Sequence, residues 1–212
     1  MLAPSKAALA TYTSLILASG SPRRLELLRR LLNPVGLSFE VRVSSFAEDL
    51  PKEKYPDPTD YVMETARCKG CEVFEASSGK VLVISADTVV VDSDGAILEK
   101  PSSRADAAQT LSRLSASSHF VYTGVALFRQ GRSTTFCEKT TVTFSQLTDE
   151  AIANYVDSGE PMDKAGSYGI QGVAGSFVES IDGCYYNAVG LPMNRLAREL
   201  NDFLKEDDRG SD

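Results

Sequence analysis

A chain of 212 residues with 42% apolar and 24% charged residues can bury a core as one domain or as two closely joined lobes. Its formal net charge of −7 argues against nonspecific binding to nucleic acid and requires any site for a polyanion to gather positive charge locally. No apolar run approaches the length of a membrane span, so no membrane partner is expected.

In chain order, residues 1–13 read as a flexible leader, too short in its apolar part for a secretory signal. Leu15-Ile16-Leu17-Ala18 then reads as a buried strand and Ser19-Gly20-Ser21 as a tight loop. Pro22 suits the first position of a helix capped by Ser21, and Leu25, Leu28, Leu31 and Leu32 form its apolar face. Residues 39–43 alternate like a strand, and 48–57 form a polar loop. Thr59 or Asp60 caps a helix running to Ala76. Residues 81–91 are β-branched and nearly all apolar, as a buried central strand should be. Ser103 with Asp106 starts a helix to about Leu114. Residues 119–128 and 133–144 make a hairpin turned at 129–132. Thr148 caps a helix through Val156, 159–175 is a glycine-rich loop, 176–181 a strand and 191–204 an amphipathic helix. Residues 205–212 read as a charged tail or linker. Pattern alone gives a mixed α/β domain.

Two features carry chemistry. The first helical turn aims free backbone N–H groups, small hydroxyls and the guanidiniums of Arg23 and Arg24 at one point, an arrangement suited to phosphate. The other is Asp87, set among Val81-Leu82-Val83-Ile84-Ser85-Ala86 and Thr88-Val89-Val90-Val91. A carboxylate there is costly unless paired or metal-bound. It reads as a base or metal ligand, against the plainer reading of a strand-end aspartate bonding a neighbouring loop. Cys68-Lys69-Gly70-Cys71 has no second half to complete a zinc set, so free, mostly buried thiols in a reducing cytoplasm are expected. His119 has no carboxylate partner in pattern and is assigned to structure. No nucleophile elbow or Walker sequence occurs, which leaves a covalent intermediate unsupported.

Ser19-Gly20-Ser21-Pro22-Arg23-Arg24 after an N-terminal strand resembles the opening of the Maf family of nucleoside triphosphate pyrophosphatases. Ala86-Asp87-Thr88, Glu99-Lys100-Pro101, Tyr122-Thr123-Gly124-Val125, Gly159-Glu160-Pro161, Asp163-Lys164-Ala165-Gly166, Gly169-Ile170-Gln171-Gly172 and Gly190-Leu191-Pro192 follow in the family's order. The resemblance covers a domain over residues 14–204. It implies a twisted mixed sheet with two lobes around a central cleft, similar to the inosine triphosphate pyrophosphatases. It also implies hydrolysis of dTTP or UTP to the monophosphate and pyrophosphate.

By the same resemblance Asp87 is the proton acceptor, and Glu48 with Asp87 holds a divalent ion, Mg²⁺ or alternatively Mn²⁺. Ser19, Gly20, Ser21, Arg23, Lys69, Lys100 and Lys164 are implied to bind phosphate. Arg24, Thr88 and Gln171 are implied to set which base is accepted. Glu99 stands where many relatives have glycine, and Gly70 where alanine is usual. A homodimer and an attached methyltransferase-like region are further implications of the resemblance. Two other readings are a catalytically silent nucleotide-sensing module regulating such a region, and a nucleotidyl or phosphoryl transferase.

Overall fold

Leu15, Ile16 and Leu17 are fully or almost fully buried, and the strand they form, β1 (Ser14–Ala18), lies inside the sheet rather than at its edge. In this computed structural model, which describes residues 6–205, β1 pairs in parallel on one side with β2 (Glu40–Val41) and on the other with β3 (Val81–Val91). β4 (Ile97–Leu98) pairs antiparallel with the end of β3. Beyond β3 follow β5 (Ser118–Arg129), β6 (Arg132–Phe144) and β7 (Val178–Asp182), β6 and β7 antiparallel. The result is a seven-stranded mixed sheet in the order β2-β1-β3-β5-β6-β7, with β4 off this path, in an α/β chain.

Helices interleave with the strands: α1 (Lys6–Leu9), α2 (Pro22–Leu32), α3 (Pro58–Glu75), α4 (Arg104–Leu114), α5 (Asp149–Asp157), α6 (Tyr185–Val189) and α7 (Met193–Lys205). Ser21 caps α2 with Pro22 at its first turn, as the sequence indicates. α3 is capped two residues before Thr59, the earlier of the two expected caps. The side chain of Asp57 accepts from Thr59 N at 2.8 Å, and Pro58, which has no N–H to lose, takes the first position. In α4, Ser103 caps Asp106 N at 3.1 Å, while the Asp106 carboxylate returns to Ser102, at its N and Oγ.

The chain divides into two compact units. Unit 1 holds residues 1–87, 124–138 and 190–212; unit 2 holds 88–123 and 139–189. Unit 1 packs α3 on the sheet through Ala66, Val73, Ile16, Ala18, Val81, Val83, Ala126 and Phe128, with Phe74 stacked on Phe128 at 5.9 Å. Gly70 allows this close approach, because a Cβ there would stand 2.5 Å from both Phe128 Cε2 and Ser85 Oγ. Unit 2 is built on an aromatic cluster in which Phe144 meets His119 at 4.9 Å, Tyr168 at 4.8 Å and Phe177 at 6.0 Å. His119 is fully buried with its Nε2 2.8 Å from Tyr168 Oη, and burial pushes its pKa down to about 4.

Three expectations change. The strand expected at 39–43 shrinks to Glu40–Val41, followed only by Arg42 N donating to Leu17 O at 3.1 Å; further on, Ser45 and Phe46 give their N–H groups to the Glu72 carboxylate. Part of the presumed leader is structured: Leu9 is buried, Thr13 N donates to Lys80 O at 2.8 Å, and Lys80 Nζ lies 5.0 Å from the Tyr12 ring centre. Residues 1–5 of that leader, and the charged tail from 206, lie outside the described residues. The four cysteines are free but half-buried rather than mostly buried. No helix of the described residues is long and apolar enough to cross a membrane.

Candidate active site

Unit 1 assembles most of the residues singled out above. β1 ends at Ala18, and Ser19, only 7% exposed, begins the loop into α2. Ser19 Oγ accepts from Ser21 N at 3.3 Å and from Arg24 Nη1 at 3.2 Å. Arg24 Nε donates to Gly190 O at 3.0 Å, so its guanidinium ties the loop to the segment leading into α7. Burial lowers the Arg24 pKa, while the carboxylates of Asp87 and Glu48 oppose that shift. Arg23 is half-buried on the same turn, and Gly20 is exposed.

The charged centre is Lys69. Its Nζ lies 2.7 Å from Asp87 Oδ1 and 2.9 Å from Glu48 Oε1. The Lys69 and Asp87 side chains are 8% and 10% exposed, so this pair is largely desolvated and its attraction exceeds that of a surface pair. Three elements supply it: α3 brings Lys69, β3 brings Asp87, and the loop after β2 brings Glu48. Glu48 has φ 54, the left-handed region, which costs a residue with a Cβ about 1–2 kcal/mol. Such a conformation persists where surrounding contacts hold it and is a frequent mark of functional sites.

Unit 2 holds the remaining residues. Thr88 begins it directly after Asp87 on β3, and its hydroxyl meets Thr123 Oγ1 at 2.9 Å. Thr123 in turn donates to Asn187 O at 3.2 Å. The Asn187 amide donates to Val121 O at 3.0 Å and to Thr140 Oγ1 at 2.9 Å, while its own buried Oδ1 has no hydrogen-bond partner among the described residues. Lys100 is exposed after β4, and the backbone just before it is tied to the glycine-rich loop by Gly166 N donating to Glu99 O at 3.2 Å. Lys164 is folded back on that loop, with Nζ 2.6 Å from both Glu160 O and Asp163 Oδ1. Its stem packs against Gly169, where a Cβ would stand 2.5 Å from Lys164 Cε. A turn closed by Gly172 N to Gly169 O at 3.0 Å buries Ile170 and exposes Gln171.

Reasoning from sequence missed two residues here. Asn187 lies in a short helix with no strong pattern, and Glu72 looked like an ordinary helix carboxylate. A polar residue beside Gly190-Leu191-Pro192 was the one available signal for Asn187; Glu72 gave none.

A strand–loop–helix opening rich in donors and a buried lysine shared by two carboxylates thus stand together in a mixed α/β chain. The chain belongs to the Maf-like protein family, whose sequence model matches residues 14–203. It is 47% identical to the dTTP/UTP pyrophosphatase of Clostridium perfringens (strain 13) over 190 residues, 89% of this chain and 96% of that protein. It is 49% identical to the protein of the same name from Bacillus anthracis over 189 residues, 89% of this chain and 95% of the relative. Among solved structures, a nucleoside-triphosphatase (dITP/XTP pyrophosphatase) from Mycobacterium abscessus matches with a TM-score of 0.43 and 14% identity. That match covers 92% of this chain and 97% of the other.

Proposed function

We propose that this protein is a nucleoside triphosphate pyrophosphatase acting on dTTP and UTP. The observation that carries the reading is the pairing of Lys69 with Asp87 and Glu48 in a chain 47–49% identical to proteins named for that activity. Water attacks the α-phosphorus, the bond to the bridging oxygen breaks, and pyrophosphate leaves with the nucleoside monophosphate as co-product. Asp87 accepts the proton of the attacking water, and its contact with Lys69 Nζ at 2.7 Å holds the carboxylate in place. Ser19 and the backbone N–H groups of Gly20 and Ser21 bind phosphate oxygens, with Arg23 supplying charge. Lys69, which has a third N–H to offer, and Lys100 and Lys164 offset the charge that grows on the leaving pyrophosphate. Arg24, Thr88 and Gln171 read the base; the exposed Gln171 amide can donate to and accept from a pyrimidine edge.

The donor set fits a hard divalent cation. Glu48 and Asp87 offer carboxylate oxygens, and Lys69 engages one oxygen of each. An ion of this kind takes one or two carboxylates and completes its shell with substrate oxygens and water. Mg²⁺ or Mn²⁺, when bound by these two residues, supplies neutralisation of phosphate charge and a lowered pKa for water. The reading places the protein in the cytoplasm, where Cys68, Cys71, Cys137 and Cys184 stay reduced.

A panel of nucleotides with Mg²⁺, assayed separately for pyrophosphate and orthophosphate, tests this. dTTP and UTP are expected to give pyrophosphate and the monophosphate. Orthophosphate with a diphosphate product means attack at the γ-phosphorus and contradicts the reading. Binding without turnover supports a sensing module instead.

A further inference from the structure

Glu72 lies three residues after Lys69 on α3, so the two side chains share one face of the helix. Its carboxylate is filled from outside that helix. Ser44 Oγ donates to Oε2 and Ser45 Oγ to Oε1 in short contacts, Ser45 N donates to Oε1 at 3.2 Å, and Phe46 N to Oε2 at 3.1 Å. Four donors on two oxygens, led by the two serine hydroxyls, hold the Glu72 pKa below the usual carboxylate value. Two residues further along the same segment stands Glu48, at φ 54, bonded to Lys69 at 2.9 Å. Helix α3 therefore grips this loop twice, once by Glu72 on residues 44–46 and once by Lys69 on Glu48.

The two grips are unequal. The Glu48 side chain is 46% exposed, and a pair so open to solvent is screened and weak on its own. It cannot by itself hold a loop in which a residue with a Cβ sits at positive φ. Glu72 supplies the stronger, multidentate hold through two backbone amides and two hydroxyls, and it draws the chain off the sheet edge after Arg42, whose N still donates to Leu17 O at 3.1 Å. We propose that Glu72 is a positioning residue that sets the Glu48 carboxylate for a divalent cation. The proposal rests on the pyrophosphatase reading for its catalytic consequence, though the clamp itself does not depend on turnover.

The test uses the full chain with Glu72→Ala, Glu72→Gln, Glu48→Gln and the double variant Glu48→Gln/Glu72→Ala. Hydrogen exchange on residues 44–48 reads the clamp. Mn²⁺ titration followed by electron paramagnetic resonance, with an α,β-methylene triphosphate present, reads metal affinity without turnover. In Glu72→Ala, exchange at Ser45 and Phe46 is expected to accelerate, and Mn²⁺ affinity to fall by about 10-fold, as for loss of a partner behind a metal ligand. Half-saturating Mg²⁺ for activity rises in step, while kcat at saturating Mg²⁺ changes far less. Glu72→Gln, which keeps one acceptor oxygen, falls between. In the Glu48→Gln background Glu72→Ala adds no further loss of Mn²⁺ affinity. Unchanged Mn²⁺ affinity in both Glu72 variants, or the same further loss without Glu48, overturns the proposal. Absence of pyrophosphate release by the unmodified protein would count against the function alone, since exchange and Mn²⁺ binding still decide the clamp. If Glu72→Ala does not fold, Glu72→Gln carries the same comparison.

Discussion

The two units present their charged residues in opposite states. In unit 1 the side chains assigned to chemistry hold one another: Lys69 bonds Asp87 and Glu48, and Arg24 bonds Ser19 and Gly190 O. In unit 2, Lys100 and Gln171 stand in solvent, and Lys164 is folded onto its own loop. The Asp163 partner of Lys164 is 67% exposed, so exchanging that pair for a phosphate costs little. Separating Lys69 from Asp87 would cost far more, because both are nearly out of water. Lys69, Asp87, Glu48 and Arg24 are thus organised before substrate arrives, whereas Lys100, Lys164 and Gln171 are left to take up contacts with it.

That contrast predicts different failures in the two units. The largest effect is expected at Asp87. Asp87→Asn keeps the shape and removes the charge, so kcat should fall by roughly 10²-fold or more while the protein stays folded. Near-normal turnover by a folded Asp87→Asn protein would remove Asp87 from its role. Lys69→Met leaves two carboxylates without their shared cation. Loss of one partner from a buried pair costs about 3 kcal/mol or more, and urea midpoints should show it alongside lost activity. A stability unchanged within error would mean that the pair is weak and the site not organised in advance.

In unit 2 the losses should fall on selectivity instead. Gln171→Ala should lower kcat/KM for dTTP and UTP by about one to two decades, the worth of a paired hydrogen bond at about 1–3 kcal/mol. Purine triphosphates and the melting temperature should barely change, since Gln171 is exposed. Equal loss for every nucleotide would make Gln171 a loop-shaping residue. The smallest effect concerns His119, whose pKa falls from 6.5 unfolded to about 4 folded. Between those values the unfolded chain binds the extra proton, so stability is present above pH 6.5 and declines as pH falls toward 4. From pH 7 to pH 5.5 the loss attributable to His119 is about 1 kcal/mol, and His119→Gln should flatten that part of the profile.

Much of this was legible in the sequence where local rules suffice. Ser21 and Pro22 specify a helix start by capping alone, and the β-branched run over Val81–Val91 specifies a buried strand. Asp87 announced itself because a carboxylate in such a run needs a partner, and the structure supplies Lys69. What stayed hidden depends on distant pairing. Glu72 is an ordinary helix residue until Ser44 and Ser45 are seen on its carboxylate. The two-residue β4 and the five-residue α6 are too short to leave a period. Asn187 acquires its meaning from Val121, Thr123 and Thr140, more than 40 residues away. The Asp57 cap is as legible, from Asp57-Pro58, as the expected Thr59 or Asp60.

Hydrolysis of dTTP in ¹⁸O-labelled water, with the products separated by mass, tests the central claim most directly. Attack on the α-phosphorus by water that Asp87 deprotonates places the label in the thymidine monophosphate and leaves the pyrophosphate unlabelled, and Asp87→Asn should slow formation of that labelled product by roughly 10²-fold or more. Label in orthophosphate, or labelled monophosphate formed at an undiminished rate by Asp87→Asn, would contradict the account.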